Sequence, residues 1–280
     1  MTQVLAAELL KLKRSSTWLV AVILPVLAVL SGSMNYQNNT EVLTAGWQSL
    51  ASQVVLFYGL FFYSVGVSLL VAVAWRAETN SWNLTATSVS MRRLLVAKTL
   101  AVVPLLATMQ AIMFAGIVAA GLLLQVPGAV PPMLAVVAVL GVLCAIPLVV
   151  LQSLISALIP SFAASVALGF VGVFIALGIS SSQSVSALAW VVPQALITRA
   201  VSLGSTAIST AGGLSDVVPL TGAAIAVTVV LTLVGSWLMQ LVPLVHPHRA
   251  RVRLMYFCRR RDPSEGVHHY RSAHQSSPRQ

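Results

Sequence analysis

Residues 133–179, MLAVVAVLGVLCAIPLVVLQSLISALIPSFAASVALGFVGVFIALGI, decide the fold class. They belong to a longer stretch, residues 99–198, that contains no Asp, Glu, Lys, Arg or His. The whole chain of 280 residues is 58% apolar and only 8% charged, whereas soluble domains carry about 25% charged residues. An ionised side chain at mid-bilayer costs roughly 2.5–3.5 kcal/mol, so membrane segments exclude it. The sequence therefore predicts an all-α, polytopic integral membrane protein.

A helix needs about 20 apolar residues to cross the hydrocarbon core. Six runs of this kind, separated by polar, Pro-rich or charged breaks, are predicted at 17–34, 53–74, 99–124, 133–159, 162–179 and 218–242. Residues 133–179 would make one helix of about 70 Å, which is too long for a single crossing. Because proline disfavours helix, we expect a tight turn at Pro160 and Ser161. The six helices form a predicted domain over 1–245, followed by a basic, disordered tail over 246–280.

The basic residues predict the orientation, since Lys and Arg collect on the cytoplasmic side. With six crossings, 15 of the 16 Lys and Arg residues share one side with both termini. Only Arg199 lies on the other side, together with Glu41 and Asp216. Both termini and the 75–98 loop are therefore expected in the cytoplasm. The net charge of +10 lies mostly in the loops and tail, which favours a membrane surface over nucleic acid.

Two segments allow a different topology. Residues 185–201 are apolar enough for a seventh crossing, which would place the arginines of the tail outside. We predict instead a short re-entrant or interfacial helix pair, with Trp190 at the membrane interface and a break at Pro193. The basic start and first apolar run also resemble a secretory signal, although this run is longer than a typical signal.

The first residues predict an amphipathic helix over 4–14. Leu5, Leu9 and Leu12 recur at helical spacing, and Glu8, Lys11 and Arg14 fall on another face. This pattern is typical of a helix lying in the membrane interface, while a simple cytoplasmic anchor is the alternative. The polar residues that we assign to this helix are Glu8, Lys11, Lys13 and Arg14.

The chain offers little catalytic chemistry. All five histidines follow the last predicted crossing, so they leave no Ser-His or metal site inside the membrane. Cys144 and Cys258 are too few for a disulfide framework. The only Lys-Thr pair, Lys98 with Thr99, lacks the preceding glycine of a phosphate loop. With no charge in the spans for ion coupling, any driving energy is expected from a separate protein.

The loop over 75–98 is the only sizeable predicted cytoplasmic loop between crossings, and a soluble partner could bind there. Orientation alone would explain its arginines, but an acidic residue contributes nothing to orientation. Glu78 is therefore expected to pair with Arg76, with Arg92 or with a basic residue of a partner. The residues that we assign to this contact are Arg76, Glu78, Trp82, Arg92, Arg93 and Lys98.

Several of these features together resemble the ABC-2 type permeases. They are ELLKLKRS at 8–15, Pro25 in the first crossing, the Glu-containing loop, and Met91-Arg92-Arg93 with Lys98 at the third crossing. Within that family the chain is most similar to the group associated with peptide-antibiotic (lantibiotic) export and immunity. Val89 and Trp82 depart from the pattern of these loops, which often have proline and a small residue there.

The resemblance implies a non-catalytic membrane subunit in a bacterial cell membrane. It implies a separate ABC ATPase in two copies, which holds ATP and Mg²⁺, and a second permease copy, identical or related. This chain itself would bind no cofactor. Residues 8–14 would form the connecting interfacial helix, and Glu78 would take the acidic position that contacts the ATPase. Arg92, Arg93 and Lys98 would form the basic half of that contact.

The expected pathway runs along the subunit interface and is lined by uncharged side chains. Its candidate residues are Thr108, Gln110, Ser153 and Ser156, for which interhelical hydrogen bonding is an equal alternative. A path rich in Leu, Val and Ala favours a hydrophobic or amphipathic cargo, such as a peptide antibiotic, a drug or a lipid. The rival hypothesis is a non-transporting scaffold or sensor whose basic tail binds anionic lipid or a partner.

Overall fold

The computed structural model describes residues 2–13, 15–79, 91–159, 161–182, 184–205 and 213–245. Every regular element in these ranges is a helix, which confirms the predicted all-α class. The helices are α1 (Thr2–Lys13), α2 (Thr17–Asn38), α3 (Trp47–Phe57), a π-helical turn (Tyr58–Phe62), α4 (Tyr63–Thr79), α5 (Met91–Leu123), α6 (Met133–Leu158), α7 (Phe162–Ser181), a 3₁₀ turn (Ser186–Trp190), α8 (Pro193–Val201), a 3₁₀ turn (Leu214–Asp216) and α9 (Val217–Val245). The 246–280 tail lies outside the described residues.

Six of the described helical segments are long and apolar enough to cross a membrane, as predicted. They are Thr17–Asn38, Trp47–Arg76, Arg92–Leu123, Met133–Leu158, Phe162–Ser181 and Leu214–Leu238. The ends of the fourth and fifth spans agree with the sequence within about two residues. The second span begins six residues earlier than predicted, at Trp47 instead of position 53, because residues 48–53, four of which are polar, already belong to the helix.

The second span carries a π-helical turn near its middle, at Tyr58–Phe62. A π turn interrupts the regular hydrogen-bond ladder of the helix and often marks a functional region. Here the hydroxyl of Thr198, on α8, donates to the carbonyl oxygen of Gly59 over 3.2 Å. The turn is thus stabilised by a contact from another part of the bundle.

The long apolar run over 133–179 divides as predicted. α6 ends at Leu158 and α7 begins at Phe162, and Pro160 itself lies outside the described residues. Ser161 caps the new helix, since its hydroxyl accepts a hydrogen bond from the backbone N–H of Ala164 over 3.3 Å. Two separate spans therefore replace one overlong helix.

The segment between the fifth and sixth spans forms the expected short helix pair. α8 has nine residues, about 14 Å, and eight of them are buried, so it is too short for a seventh crossing. It begins at Pro193, so the predicted break lies directly before this residue, between the 3₁₀ turn and α8. The side chain of Gln194 packs against Gly172, at the middle of α7. The helix therefore enters the bundle to about half its depth, which favours the re-entrant alternative.

The chain returns from α8 to the end of the bundle where the second span begins. The side-chain amide of Gln48 donates to the carbonyl of Gly204 over 3.0 Å. At the same end, the indole N–H of Trp47 donates to the carbonyl of Gly128 over 3.0 Å, and the Trp47 ring packs against Gly121 of α5. Gln48 and Trp47 thus hold this end through neutral hydrogen bonds and close packing.

Candidate functional site at the loop-bearing end of the bundle

Helix α1 packs against the start of α5, at the end of the bundle where the 75–98 loop is rooted. Its buried residues are Glu8 and Leu12, whereas Leu9 and Leu10 are 40% and 65% exposed. The sequence pattern placed Leu12 with Leu9 and put Glu8 on another face, whereas here Glu8 and Leu12 share the inner face. The structure shows why, because the partner of Glu8 lies in the interior.

That partner is Lys98. Its ammonium lies 2.7 Å from Oε2 of Glu8, and the two side chains are 1% and 6% exposed. It also donates to the carbonyl oxygen of Ala74 over 3.0 Å and lies 5.3 Å from the centre of the Trp75 ring. The other carboxylate oxygen of Glu8 accepts from Lys11 over 2.8 Å. Both charges are therefore compensated in a buried setting.

We call the contact of Glu8, Lys98 and the Ala74 carbonyl the Glu8–Lys98 node. It joins three elements, because Glu8 is on α1, Ala74 is near the end of α4 and Lys98 is near the start of α5. A charge that loses its buried partner costs about 3–5 kcal/mol, since it cannot regain water. The two roots of the 75–98 loop and α1 are thereby tied into one unit.

The other residues assigned to the partner contact are placed differently. Arg92 and Arg93 are exposed in the first turn of α5. Basic residues oppose the helix dipole at that position, so helix stability does not account for them. Arg76 is exposed on the last turns of α4, and its guanidinium carbon lies 5.5 Å from the centre of the Phe162 ring.

Some of the predicted residues cannot be placed. Glu78 lies on the last turn of α4, but its side chain is outside the described set, and Trp82 and Arg14 are outside the described residues altogether. Lys13 is exposed on α1. Of the six loop residues, only Lys98 is therefore shown to be buried and paired.

The four candidate pathway residues do not form one surface. Gln110, Ser153 and Ser156 are buried inside the bundle, whereas Thr108 is half-buried and donates to the carbonyl of Pro104 over 2.9 Å. Gln110 packs against Gly141, which is about 18 Å along α6 from Ser153 at 1.5 Å per residue. Gln110 and Ser156 contact neighbouring helices of the same chain.

Two polar residues of the interior were missed by sequence reasoning, Gln152 and Ser165. The amide of Gln152 donates to the carbonyl and to the hydroxyl of Ser165 over 2.8 and 3.0 Å, and the hydroxyls of Ser156 and Ser165 are 2.7 Å apart. The signal in the sequence is the isolated polar pair Gln152-Ser153 within an apolar span. These hydrogen bonds join α6 to α7 near the loop-bearing end.

A family model described as an ABC-2 family transporter protein matches residues 4–176. This match covers more than half of the chain. The chain belongs to the ABC-2 transporter family. The matched region of this permease runs from α1 into α7 and includes the whole Glu8–Lys98 node. Comparison with curated proteins and with solved structures gives no match. The family and the six apolar helices together establish a transporter permease that crosses its membrane several times.

Proposed function

We propose that this permease is the membrane subunit of an ATP-driven exporter in the cell membrane. It acts as a dimer with an identical or related permease and binds two copies of a separate ABC ATPase subunit. Both termini and the 75–98 loop face the cytoplasm, as the distribution of Lys and Arg predicts. Membership of the ABC-2 family supports an ATPase partner.

The Glu8–Lys98 node is the observation that carries this proposal. An ATPase that moves the 75–98 loop must transmit its motion to the spans that root the loop. Because Lys98 binds Glu8 and the Ala74 carbonyl together, α1 and the ends of α4 and α5 respond as one body. Breaking these contacts would let the loop move while the bundle stays still.

The surface for the ATPase consists of the exposed loop residues and not of Lys98. Arg92 and Arg93 offer two accessible positive charges, and Glu78 and Trp82 complete the contact. ATP drives the cycle only if it binds one state of the complex more tightly than the other, since a ligand shifts an equilibrium by its differential affinity alone. Lys98 acts beneath this surface, by holding its roots together.

The proposed cargo is hydrophobic or amphipathic, such as a peptide antibiotic, a drug or a lipid. The described spans carry almost entirely uncharged side chains, which supports such a cargo. The likeness to the lantibiotic export and immunity group favours a peptide antibiotic. The cargo path lies at the interface of the two permeases.

A mild-detergent purification of the tagged, full-length chain from its own host tests the proposal, with mass spectrometry of every retained protein. We expect a P-loop ATPase in a one-to-one ratio with the permease. A Glu78→Lys variant should lose this ATPase because the charge at the contact is reversed, while Lys13→Glu, on α1, should retain it. Recovery of the chain alone, under conditions that preserve other ABC complexes, would contradict the proposal and favour a scaffold or sensor.

A further inference from the structure

The π turn of the second span, Tyr58–Phe62, pairs its backbone differently from the α-helices on either side of it. At its end, the N–H of Tyr63 donates to the carbonyl of Tyr58, five residues earlier. In an α-helix the same N–H would donate to the carbonyl of Gly59, four residues earlier. The turn therefore holds one residue more than the α pattern, and Gly59 does not receive the N–H that the α pattern would give it.

The hydroxyl of Thr198, on α8, supplies a donor to that carbonyl. It lies 3.2 Å from the carbonyl oxygen of Gly59. The approach of α8 depends on the missing side chain of Gly59, because a methyl group there would lie 3.4 Å from Val201. A buried carbonyl without a donor is unfavourable, since it has lost its water without compensation. The contact with Thr198 thus stabilises the π form of the turn.

Thr198 has a second acceptor within reach. Its hydroxyl lies 3.1 Å from the carbonyl oxygen of Gln194 in its own helix, and a hydroxyl has only one proton to donate. If the turn took the α pattern, the N–H of Tyr63 would donate to Gly59 and the hydroxyl of Thr198 would donate to Gln194. The Gly59 carbonyl and the Thr198 hydroxyl are then paired in either form. Two alternative packings with similar free energies are the basis of a conformational switch.

The rings of Tyr58 and Tyr63 distinguish the two forms. Their centres are 5.0 Å apart and their planes differ by 20°, so the rings are stacked. Residues five apart in an α-helix face directions about 140° apart, because each residue advances about 100° around the axis. The π hydrogen bond instead places residues five apart above one another. The stack therefore belongs to the π form and separates in the α form.

The π turn lies between two anchored ends of the second span. At one end, Trp47 and Gln48 donate hydrogen bonds to the carbonyls of Gly128 and Gly204. At the other end, the carbonyl of Ala74 belongs to the Glu8–Lys98 node. A change from the π to the α pattern turns α3 and α4 relative to each other by up to about 100°, the angle of one helical residue. The position of α8 thereby influences how the root of the 75–98 loop is aligned with the rest of the span.

We propose that the π turn is a two-state hinge of the second span and that Thr198 is the positioning residue that latches it. In the latched form, Thr198 donates to Gly59 and the turn stays π-helical. In the open form, Thr198 donates to Gln194, the turn becomes α-helical and α3 turns relative to α4. The hinge is a property of the permease alone, so it does not depend on the proposed ATPase partner.

Fluorine NMR measures the two forms in the full-length chain, labelled with 3-fluorotyrosine and purified in an uncharged detergent. The chain has five tyrosines, and the variants Tyr58→Phe and Tyr63→Phe assign the two resonances of the stack. Because a stacked ring shifts the resonance of its neighbour, stacked and separated rings give different signals. The ratio of their intensities reports the ratio of the π form to the α form.

Thr198→Val tests the latch, since it keeps the shape of the side chain and removes the hydroxyl. The π form then leaves the Gly59 carbonyl without this donor. The α form loses less, because the Gln194 carbonyl already has a partner in the helical ladder of α8. We expect the ratio of the π form to the α form to fall about fivefold, the value of about one hydrogen bond. Thr198→Ala removes the same hydroxyl and should move the ratio in the same direction.

Two substitutions serve as controls. Thr198→Ser restores the hydroxyl and should give the spectrum of the unmodified chain. Thr228→Val, on α9, removes a hydroxyl that donates to the carbonyl of Ala224 in its own helix over 2.7 Å, and it should leave the tyrosine resonances unchanged. Resonances of Tyr58 and Tyr63 that stay the same in Thr198→Val, or that change equally in Thr228→Val, would overturn the proposal.

Deletion of Leu60 tests the extra residue directly. Tyr63 then follows Tyr58 at the α spacing, and the N–H of Ser64 reaches the carbonyl of Gly59, while α3 and α4 keep their alignment. We expect this variant to keep the stacked rings and to unfold at no lower temperature than the unmodified chain. Adding Thr198→Val to the deletion should leave the tyrosine resonances unchanged, because Gly59 no longer needs the hydroxyl. A full effect of Thr198→Val in the deletion variant, or unfolding at a much lower temperature, would contradict the hinge.

Discussion

The two ends of α7 each bring an arginine, a tryptophan and a cavity together, but with different neighbours. At its start, Arg76 lies beside a helix N-terminus, and no described carboxylate lines the cavity. At its end, the guanidinium carbon of Arg199 lies 4.2 Å from the centre of the Trp190 ring, and Nη2 lies 3.9 Å from Asp216. That second cavity is also lined by the last turns of α7 and α8, whose carbonyl groups are partly negative.

The difference shows that the setting of an arginine decides what it can bind. Arg199 already has an acid and two helix C-termini near it, so its charge is balanced within the protein. Arg76 is exposed and lies over the ring of Phe162, the first residue of α7. Lys98 is a third case, because it is fully buried and bonded on several sides. The loop-bearing end therefore has one cation buried within the bundle, while Arg76, Arg92 and Arg93 are exposed there.

The largest effect should come from Lys98→Met, which leaves the buried carboxylate of Glu8 without its main partner. We expect a loss of about 3–5 kcal/mol of unfolding free energy, measured by thermal or denaturant unfolding in detergent. The double variant Lys98→Met with Glu8→Gln removes both charges and should recover part of this loss. Lys13→Met, at an exposed site of α1, the helix that carries Glu8, is the control and should unfold like the unmodified chain.

If the double variant recovers none of the unfolding free energy lost in Lys98→Met, the two charges do not stabilise each other. The same series also tests coupling. Variants that still fold but lack the node should bind the ATPase and hydrolyse ATP without transport. Normal transport by these variants would remove the node from the coupling role.

At the end of the bundle away from the 75–98 loop, the unfolding free energy should depend on packing more than on charge. Gly121→Ala would place a methyl group onto the ring of Trp47, which is also fixed by its hydrogen bond to Gly128. Overpacking of this kind costs about 1–3 kcal/mol, and unfolding in detergent should show it. Gly178→Ala is the matched control, because nothing lies within 4 Å of its added methyl group. Equal stability of the two variants would show that this end is loosely packed.

The spans were predictable because their signal is local. A run of about 20 apolar residues is visible without knowledge of its neighbours, and 133–159 in the sequence became Met133–Leu158 in the structure. The existence of a short helix pair after α7 was also visible. Its depth was not, because it depends on the absence of a side chain at Gly172, where Gln194 packs, and on the hydrogen bond from Thr198 to the carbonyl of Gly59.

The site was predictable only in part. Lys98 follows Arg92 and Arg93 closely in sequence and looked like a third loop cation. Its true partner, Glu8, is 90 residues away, and no periodicity reports a pairing at that distance. The same pairing turned Glu8 inward, against the leucine pattern of its own helix. Sequence alone found these residues but not which of them meet.

A smaller effect is expected from Asp216→Asn, which removes the acid beside Arg199. Ion pairs with partial exposure contribute about 0–1 kcal/mol, and the side chains here are 18% and 28% exposed. Unfolding in detergent should therefore change little. A loss of more than about 2 kcal/mol in this variant would contradict the prediction and show that the Arg199–Asp216 pair is a main support of this end.

The smallest change in stability is expected from the paired substitution Arg92→Gln with Arg93→Gln. Both side chains are exposed, and surface substitutions of this kind stay within about 0.5 kcal/mol. Removing two basic residues from the first turn of α5 also relieves their repulsion from the helix dipole. ATPase retention in the pull-down should fall nonetheless, because these charges are accessible to a partner. Loss of binding without loss of stability would separate the outer contact surface from the Glu8–Lys98 node beneath it, whereas full retention of the ATPase would confine the contact to residues 78–90.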